Sequence, residues 1–120
     1  MISSNAYGYK SVDYPDFAKK LVDIVKNDLL KKGVLICGSG IGMSISANRY
    51  KGIRAGLCYN PEMAALSRRH NDTNILVLPG RFIDVNTAKL CIDNFLNTNF
   101  EGDRHIKGDR HIRRIEKIDK

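Results

Sequence analysis

Three features of the sequence predict an α/β, Rossmann-like fold, a parallel sheet with helices on both faces. Strand-like and helix-like apolar patterns alternate along the chain. The run Val34-Leu35-Ile36-Cys37 is apolar without interruption, as expected of a strand covered on both sides. A glycine-rich turn follows that run directly and leads into a helix of small residues. With 120 residues the chain has room for one compact domain. We read 1–120 as that domain, with an α/β core at 11–100 and a basic segment at 101–120.

The elements follow in order. Asp13 is placed to cap a first helix with Pro15 in its first turn, where a missing N–H costs nothing. Ala18, Leu21, Val22, Val25 and Leu29 recur at helical spacing and give it one apolar face, and Gly33 is read as its stop. The strand Val34–Cys37 comes next, then the glycine turn, then a helix to about Arg49. A second strand is read at Ile53–Cys58, and Asn60-Pro61-Glu62 starts a helix running to about His70. Asn74–Leu78 reads as a third strand closed by Pro79-Gly80. Asp84 then caps a helix whose buried face is Ala88, Cys91, Ile92, Phe95 and Leu96. In the last twenty residues Gly102-Asp103-Arg104-His105-Ile106 recurs as Gly108-Asp109-Arg110-His111-Ile112. Two copies do not make a solenoid, so a local duplication is the simpler reading.

Composition narrows the function classes. Hydrophobic residues make up 42% and charged residues 28%, the balance of a globular protein. No apolar run approaches the ~20 residues of a membrane span, and Met1–Ala6 lacks the features of a signal peptide. A cytoplasmic protein with no membrane partner is expected. The net charge is +7, spread as +2 over 1–36, +3 over 37–100 and +2 over 101–120. No block stands out as a nucleic-acid arm, Trp is absent and aromatics are few. The charge suits small anionic ligands better than nucleic acid. The three cysteines form no Cys-x-x-Cys pair, so neither a disulfide framework nor a zinc site is signalled.

The sharpest local signal is Cys37-Gly38-Ser39-Gly40-Ile41-Gly42, at the carboxyl end of a buried strand. Ligands bind at such ends in open α/β sheets. Glycines there let the backbone approach a ligand closely, and unpaired N–H groups face negative charge. The spacing is Gly-x-Gly-x-Gly, which is neither the dinucleotide fingerprint nor a P-loop, so no nucleotide cofactor is indicated. A tight strand–helix turn with a packed cysteine would give the same pattern. As a thiolate beside N–H donors, however, Cys37 could remove a proton from carbon while the donors hold the resulting oxyanion. Cys58 and Cys91 lack that setting and read as core. His70-Asn71, after Arg68-Arg69, reads either as a solvated helix end or as an acid/base group with an amide beside it. Arg81, after Pro79-Gly80, lies at a carboxyl edge and could hold a phosphate. Tyr14 is a turn aromatic unless it lines the same cleft.

Taken together, these segments resemble the type B ribose-5-phosphate isomerase and galactose-6-phosphate isomerase family. The resemblance is carried in order by Ser11–Asp16, Gly33–Asn48, Gly52–Ala55, Arg69–Asp72, Pro79–Arg81, Phe100–Gly102 and Arg110–Ile118. It implies Cys37 as the base that moves a proton between C1 and C2 of an open-chain sugar. It also implies Gly38, Ser39, Gly40, Ile41 and Gly42 as the anion-stabilising loop. His70 would assist ring opening, Asn71 would bind the sugar, and Tyr14 would line the pocket. Arg81, Arg110 and Arg114 would hold the phosphate, with Arg104 competing with Arg110 for its place. A site between subunits of a homodimer or homotetramer is implied, with no metal or organic cofactor. The resemblance implies a strand ending in an Asp-His pair, a helix and a second strand ahead of these segments, and the chain is expected to begin after them. Their absence predicts an apolar, unpaired edge at Val34–Cys37. The function expected is interconversion of ribose 5-phosphate and ribulose 5-phosphate, towards which Cys37 leans. The alternatives are a galactose 6-phosphate isomerase, or an inactive remnant that keeps phosphate binding or oligomerisation. Nucleic-acid binding would rest on charge alone.

Overall fold

A computed structural model describes residues 2–3, 13–28, 31–102 and 108–120. Its strands are β1 (Ile2–Ser3), β2 (Gly33–Cys37), β3 (Ala55–Leu57) and β4 (Ile75–Pro79). Its helices are α1 (Tyr14–Asn27), α2 (Ile41–Ala47), α3 (Pro61–Asn71), α4 (Val85–Asn97) and α5 (Gly108–Ile118). The four strands are all parallel, in the order β1-β2-β4-β3. None of the described helices is long and apolar enough to cross a membrane.

The alternation of side chains along β2 and β4 builds two apolar layers. Leu35, Ile75 and Val77 face α1 and α2, where they pack with Val22, Val25, Met43 and Ala47. Val34, Leu76 and Leu78 face the other way and pack with Ala64 of α3 and Cys91 and Phe95 of α4. The α/β fold with helices on both faces is therefore as the sequence predicts. Strand β4 is buried along its whole length, which explains its unbroken apolar run. Strand β3 lies at an edge, where the Asn48 amide closes on the backbone of Ala55. Its Nδ2 donates to the Ala55 carbonyl at 2.9 Å, and its Oδ1 accepts from the Ala55 N–H at 2.7 Å. A side chain thus supplies the pairing that a neighbouring strand would give.

Several expectations are corrected. The edge at Val34–Cys37 is not left bare, because Ile2 and Ser3 pair with Leu35 and Ile36. Asp13 occupies the cap position of α1 without a side-chain cap bond; its carbonyl accepts from the Asp16 N–H at 3.0 Å instead. Gly33 does not stop α1, which ends at Asn27, and is the first residue of β2. It is small because Leu21 lies against it: a Cβ there would come within 2.6 Å of the Leu21 side chain. Helix α2 closes at Ala47, earlier than expected, and β3 is limited to Ala55–Leu57. Leu96 is half exposed, since it sits about 100° around the helix from the buried Phe95. The caps at Asn60 and Asp84 form as read, accepting from the N–H groups of Met63 and Thr87, each at 2.8 Å. Leu29 lies outside the described residues.

Phe95 is fully buried between α4 and the sheet. Phe95→Ala is expected to cost about 3–5 kcal/mol of unfolding free energy, measured by urea denaturation. A loss within the ~0.5 kcal/mol of a surface change would contradict the packing described.

Candidate active site

Two separate groups of side chains emerge, one at each edge of the sheet. At the carboxyl edge, β2 and β4 run in register down to Cys37 opposite Pro79. The pairing continues past the strand ends: the Gly80 N–H donates to the Cys37 carbonyl at 2.6 Å and the Arg81 N–H to the Gly38 carbonyl at 2.9 Å. That zipper holds the turn after β4 against the glycine loop. The Arg81 side chain folds over Gly38 so closely that a Cβ on Gly38 would lie 3.2 Å from its Nε.

The remaining loop residues are placed just as tightly. Gly40 has φ +77°, a left-handed conformation that favours glycine. A Cβ there would also strike Leu57 at 2.6 Å. Ser39 Oγ accepts from the Ile41 N–H at 3.3 Å, while the Ile41 side chain is exposed. Gly42 lies under the phenol of Tyr14, since a Cβ would come within 2.5 Å of that ring. Cys37 is half-buried, a free thiol on the α1/α2 side of the sheet. Cys37, Gly38–Gly42, Tyr14 and Arg81 therefore lie together at this edge.

At the amino edge, α3 ends with His70 and Asn71, and Asp72 turns the chain at φ +46°. The His70 ring stacks on His111 of α5 with centroids 4.5 Å apart and planes 12° apart. His111 is buried at 4% exposure. Arg110 and Arg114, one turn apart on α5, are both exposed. Asn71 borders an open cavity of about 780 Å³ along β3, lined also by Leu57, Met63, Leu66 and Ile118. Arg54, Ser67 and Asp119 line it as well, and Cys37 is not among its lining residues. Arg104 lies outside the described residues.

The two groups do not meet within one chain. Cys37 is level with Pro79 at the end of β4, whereas His70 and Asn71 precede Ile75 at its start. The five residues of β4 separate the two levels by roughly 13 Å along the strand.

A metal is poorly served at the amino edge. One ligand atom each of His70, Glu101 and His111 lies within 4.8 Å of the others. The rings are face to face, so their in-plane lone pairs run side by side and do not converge on an ion. Arg69, 3.9 Å from Glu101, and the two arginines of α5 make the surroundings cationic. That setting suits an anion.

Sequence reasoning passed over His111, Glu101, Arg54 and Asp119 as site-shaping residues. For His111 a signal exists: with Ile115 and Ile118 it recurs at helical spacing on one side of α5. The others act through contacts distant in sequence. Arg54 bonds Asp119 at 2.9 Å and Asp72 at 3.3 Å.

Comparison with known proteins gives a consistent picture. A model of the ribose/galactose isomerase family matches residues 2–118. The ribose-5-phosphate isomerase B of Escherichia coli is 39% identical over 116 residues, covering 97% of this chain and 78% of that one. The crystal structure of a ribose 5-phosphate isomerase from Thermotoga maritima superposes with a TM-score of 0.85 at 53% identity, covering 96% of this chain and 75% of that one. The type B enzyme of Trypanosoma cruzi superposes with a TM-score of 0.84 at 46% identity, covering 95% and 73%.

Two measurements follow from the electrostatics. Burial pushes the Cys58 thiol up to about 11 and also raises Cys91. In the native protein at pH 8, Ellman's reagent is expected to label Cys37 alone quickly; two fast thiols would contradict the burial described. The His111 imidazole is held below its ordinary value, chiefly by burial and then by His70 and Arg110, with Glu101 opposing and Arg114 adding to the depression. Below about pH 6.5 the unfolded chain therefore binds more protons than the folded one. Stability should fall as pH drops through that range. His111→Phe should flatten the fall in denaturation midpoints measured against pH.

Proposed function

The chain belongs to the ribose/galactose isomerase family, and from that premise we propose that it interconverts ribose 5-phosphate and ribulose 5-phosphate in the cytoplasm, at sites shared by two copies of the chain. The observation that carries the reading is the carboxyl edge of the sheet. There a free thiol, a glycine loop and an arginine folded over that loop lie side by side. Three free cysteines suit a reducing compartment.

In this reading the open-chain aldose lies with C2 against Cys37. The thiolate takes the C2 proton, and the electrons left behind form the C1–C2 double bond of an enediolate as negative charge moves onto O1. N–H groups of Gly38–Gly42 hold that oxygen, which lowers the barrier most where water is excluded. Returning the proton to C1, while the O2 proton passes to O1, gives the ketose. Atoms and electrons balance with no added cofactor.

The other half of the site comes from a second copy. His70 assists ring opening and Asn71 holds sugar hydroxyls. Arg110 and Arg114 join the first copy's Arg81 around the phosphate, where charge-assisted bonds are strong. The placement of the two groups at opposite ends of β4, about 13 Å apart in strand rise, supports this arrangement, and a two-fold dimer makes two such sites at once. Tyr14, packed on Gly42, closes the wall beside the thiol.

Cys37→Ala is expected to reduce ribose 5-phosphate turnover by about 10²–10⁴ in a coupled ketose assay, and an unchanged rate would exclude the base. Mixing inactive Cys37→Ala and His70→Ala chains after co-expression should restore roughly a quarter of the parental sites, if both halves come from different copies. Turnover of galactose 6-phosphate without ribose 5-phosphate would overturn the substrate assignment.

A further inference from the structure

We infer that Arg54 is a positioning residue whose guanidinium clamps the end of α3 to the end of α5, and so sets the spacing between His70 and the arginines of α5. The inference rests on the functional reading above, which gives those groups to one half of the site.

The guanidinium reaches two elements at once. Nε donates to the Asp72 carbonyl at 3.0 Å and Nη2 to the Asp72 carboxylate at 3.3 Å. Nη1 donates to the Asp119 carboxylate at 2.9 Å. Asp72 is the residue immediately after α3. Asp119 continues the α5 ladder, its N–H donating to the Ile115 carbonyl at 2.9 Å. The bond to Asp119 reaches 65 positions along the chain, with the Arg54 side chain only 17% exposed.

The base of the clamp is rigid. The Arg54 N–H donates to Asn74 Oδ1 at 2.8 Å, and the Arg54 carbonyl accepts from the N–H groups of Asn74 and Ile75. Asp72 is gripped from its other side by the buried Arg68, whose Nη1 lies 2.8 Å from its carboxylate.

Charge explains the need. The last turn of α3 carries Arg68, Arg69 and His70, and α5 carries Arg110, Arg113, Arg114 and Lys117. Two helices that carry an excess of positive charge repel unless acidic groups intervene. Asp72 and Asp119 supply that charge, and the planar fork of Arg54 fixes where they sit. A lysine, as a single point charge, could not hold both in one geometry.

Asp119→Asn and Arg54→Lys test the clamp in the full-length protein. KM for ribose 5-phosphate should rise about five- to tenfold with kcat within twofold. Amide hydrogen exchange along α5 should quicken while exchange in β2 and β4 stays as in the parent, and Asp119→Glu should recover part of the KM. An unchanged KM together with unchanged α5 exchange in Asp119→Asn overturns the clamp. So does a fall in kcat alone with unchanged exchange. A parent chain without turnover would refute the functional reading instead. The exchange of α5 would then decide the clamp by itself, faster exchange supporting it and unchanged exchange overturning it.

Discussion

The parallel register of β2 on β4 is the constraint on which the carboxyl edge depends. It brings Cys37 level with Pro79, and from there two backbone hydrogen bonds carry the pairing into the turns at Gly80 and Arg81. Side chains alternate along a strand, so a slip of one residue would exchange the two faces of β2. The thiol would leave the side where Tyr14 and Gly42 pack and enter the layer of Phe95 and Cys91. Burial makes such a slip expensive, because Leu35, Leu76, Val77 and Leu78 are all fully covered. The core thus fixes the chemistry by fixing the register.

What the sequence made legible is what local periodicity records. The unbroken apolar runs announce β2 and β4 because both faces of each are covered. Asn60 and Asp84 announce helix starts because one side chain and one N–H, three residues apart, decide a cap. The site at Cys37–Gly42 is legible for the same reason, being contiguous at one strand end. Asp13 shows the limit: residue type made a cap possible, yet the carbonyl took the bond and left the carboxylate outside. Leu96 shows another, since one step around a helix separates burial from solvent. The pairing of Ile2 and Ser3 with β2 left no readable pattern, for two residues are too few to show a period. Neither the stack of His70 on His111 nor the reach of Arg54 to Asp119 has a local signature.

The amino edge is assembled on a different principle from the carboxyl edge. Its parts come from the ends of α3 and α5 and from the turns beneath β3 and β4, held by ion pairs and ring stacking more than by apolar packing. Such contacts are worth less each than buried surface and respond to pH and salt. The thiol and its loop are therefore set by the most stable part of the fold, and the arginines of α5 by the more adjustable part.

The topology is the reason the proposed chemistry calls on a second copy. In a parallel sheet with crossover helices, a strand's carboxyl end and the far end of a following helix lie at opposite edges. Cys37 closes a strand and His70 ends a helix, so within one chain they stand at opposite edges of the sheet. A two-fold axis that lays the amino edge of one copy on the carboxyl edge of the other joins them without altering either. It also gives each half what it lacks: Arg81 alone offers one cation to a phosphate, and Arg110 with Arg114 offers two but has no thiol. In that arrangement the contact between copies holds the substrate, with each copy supplying part of the proposed phosphate site.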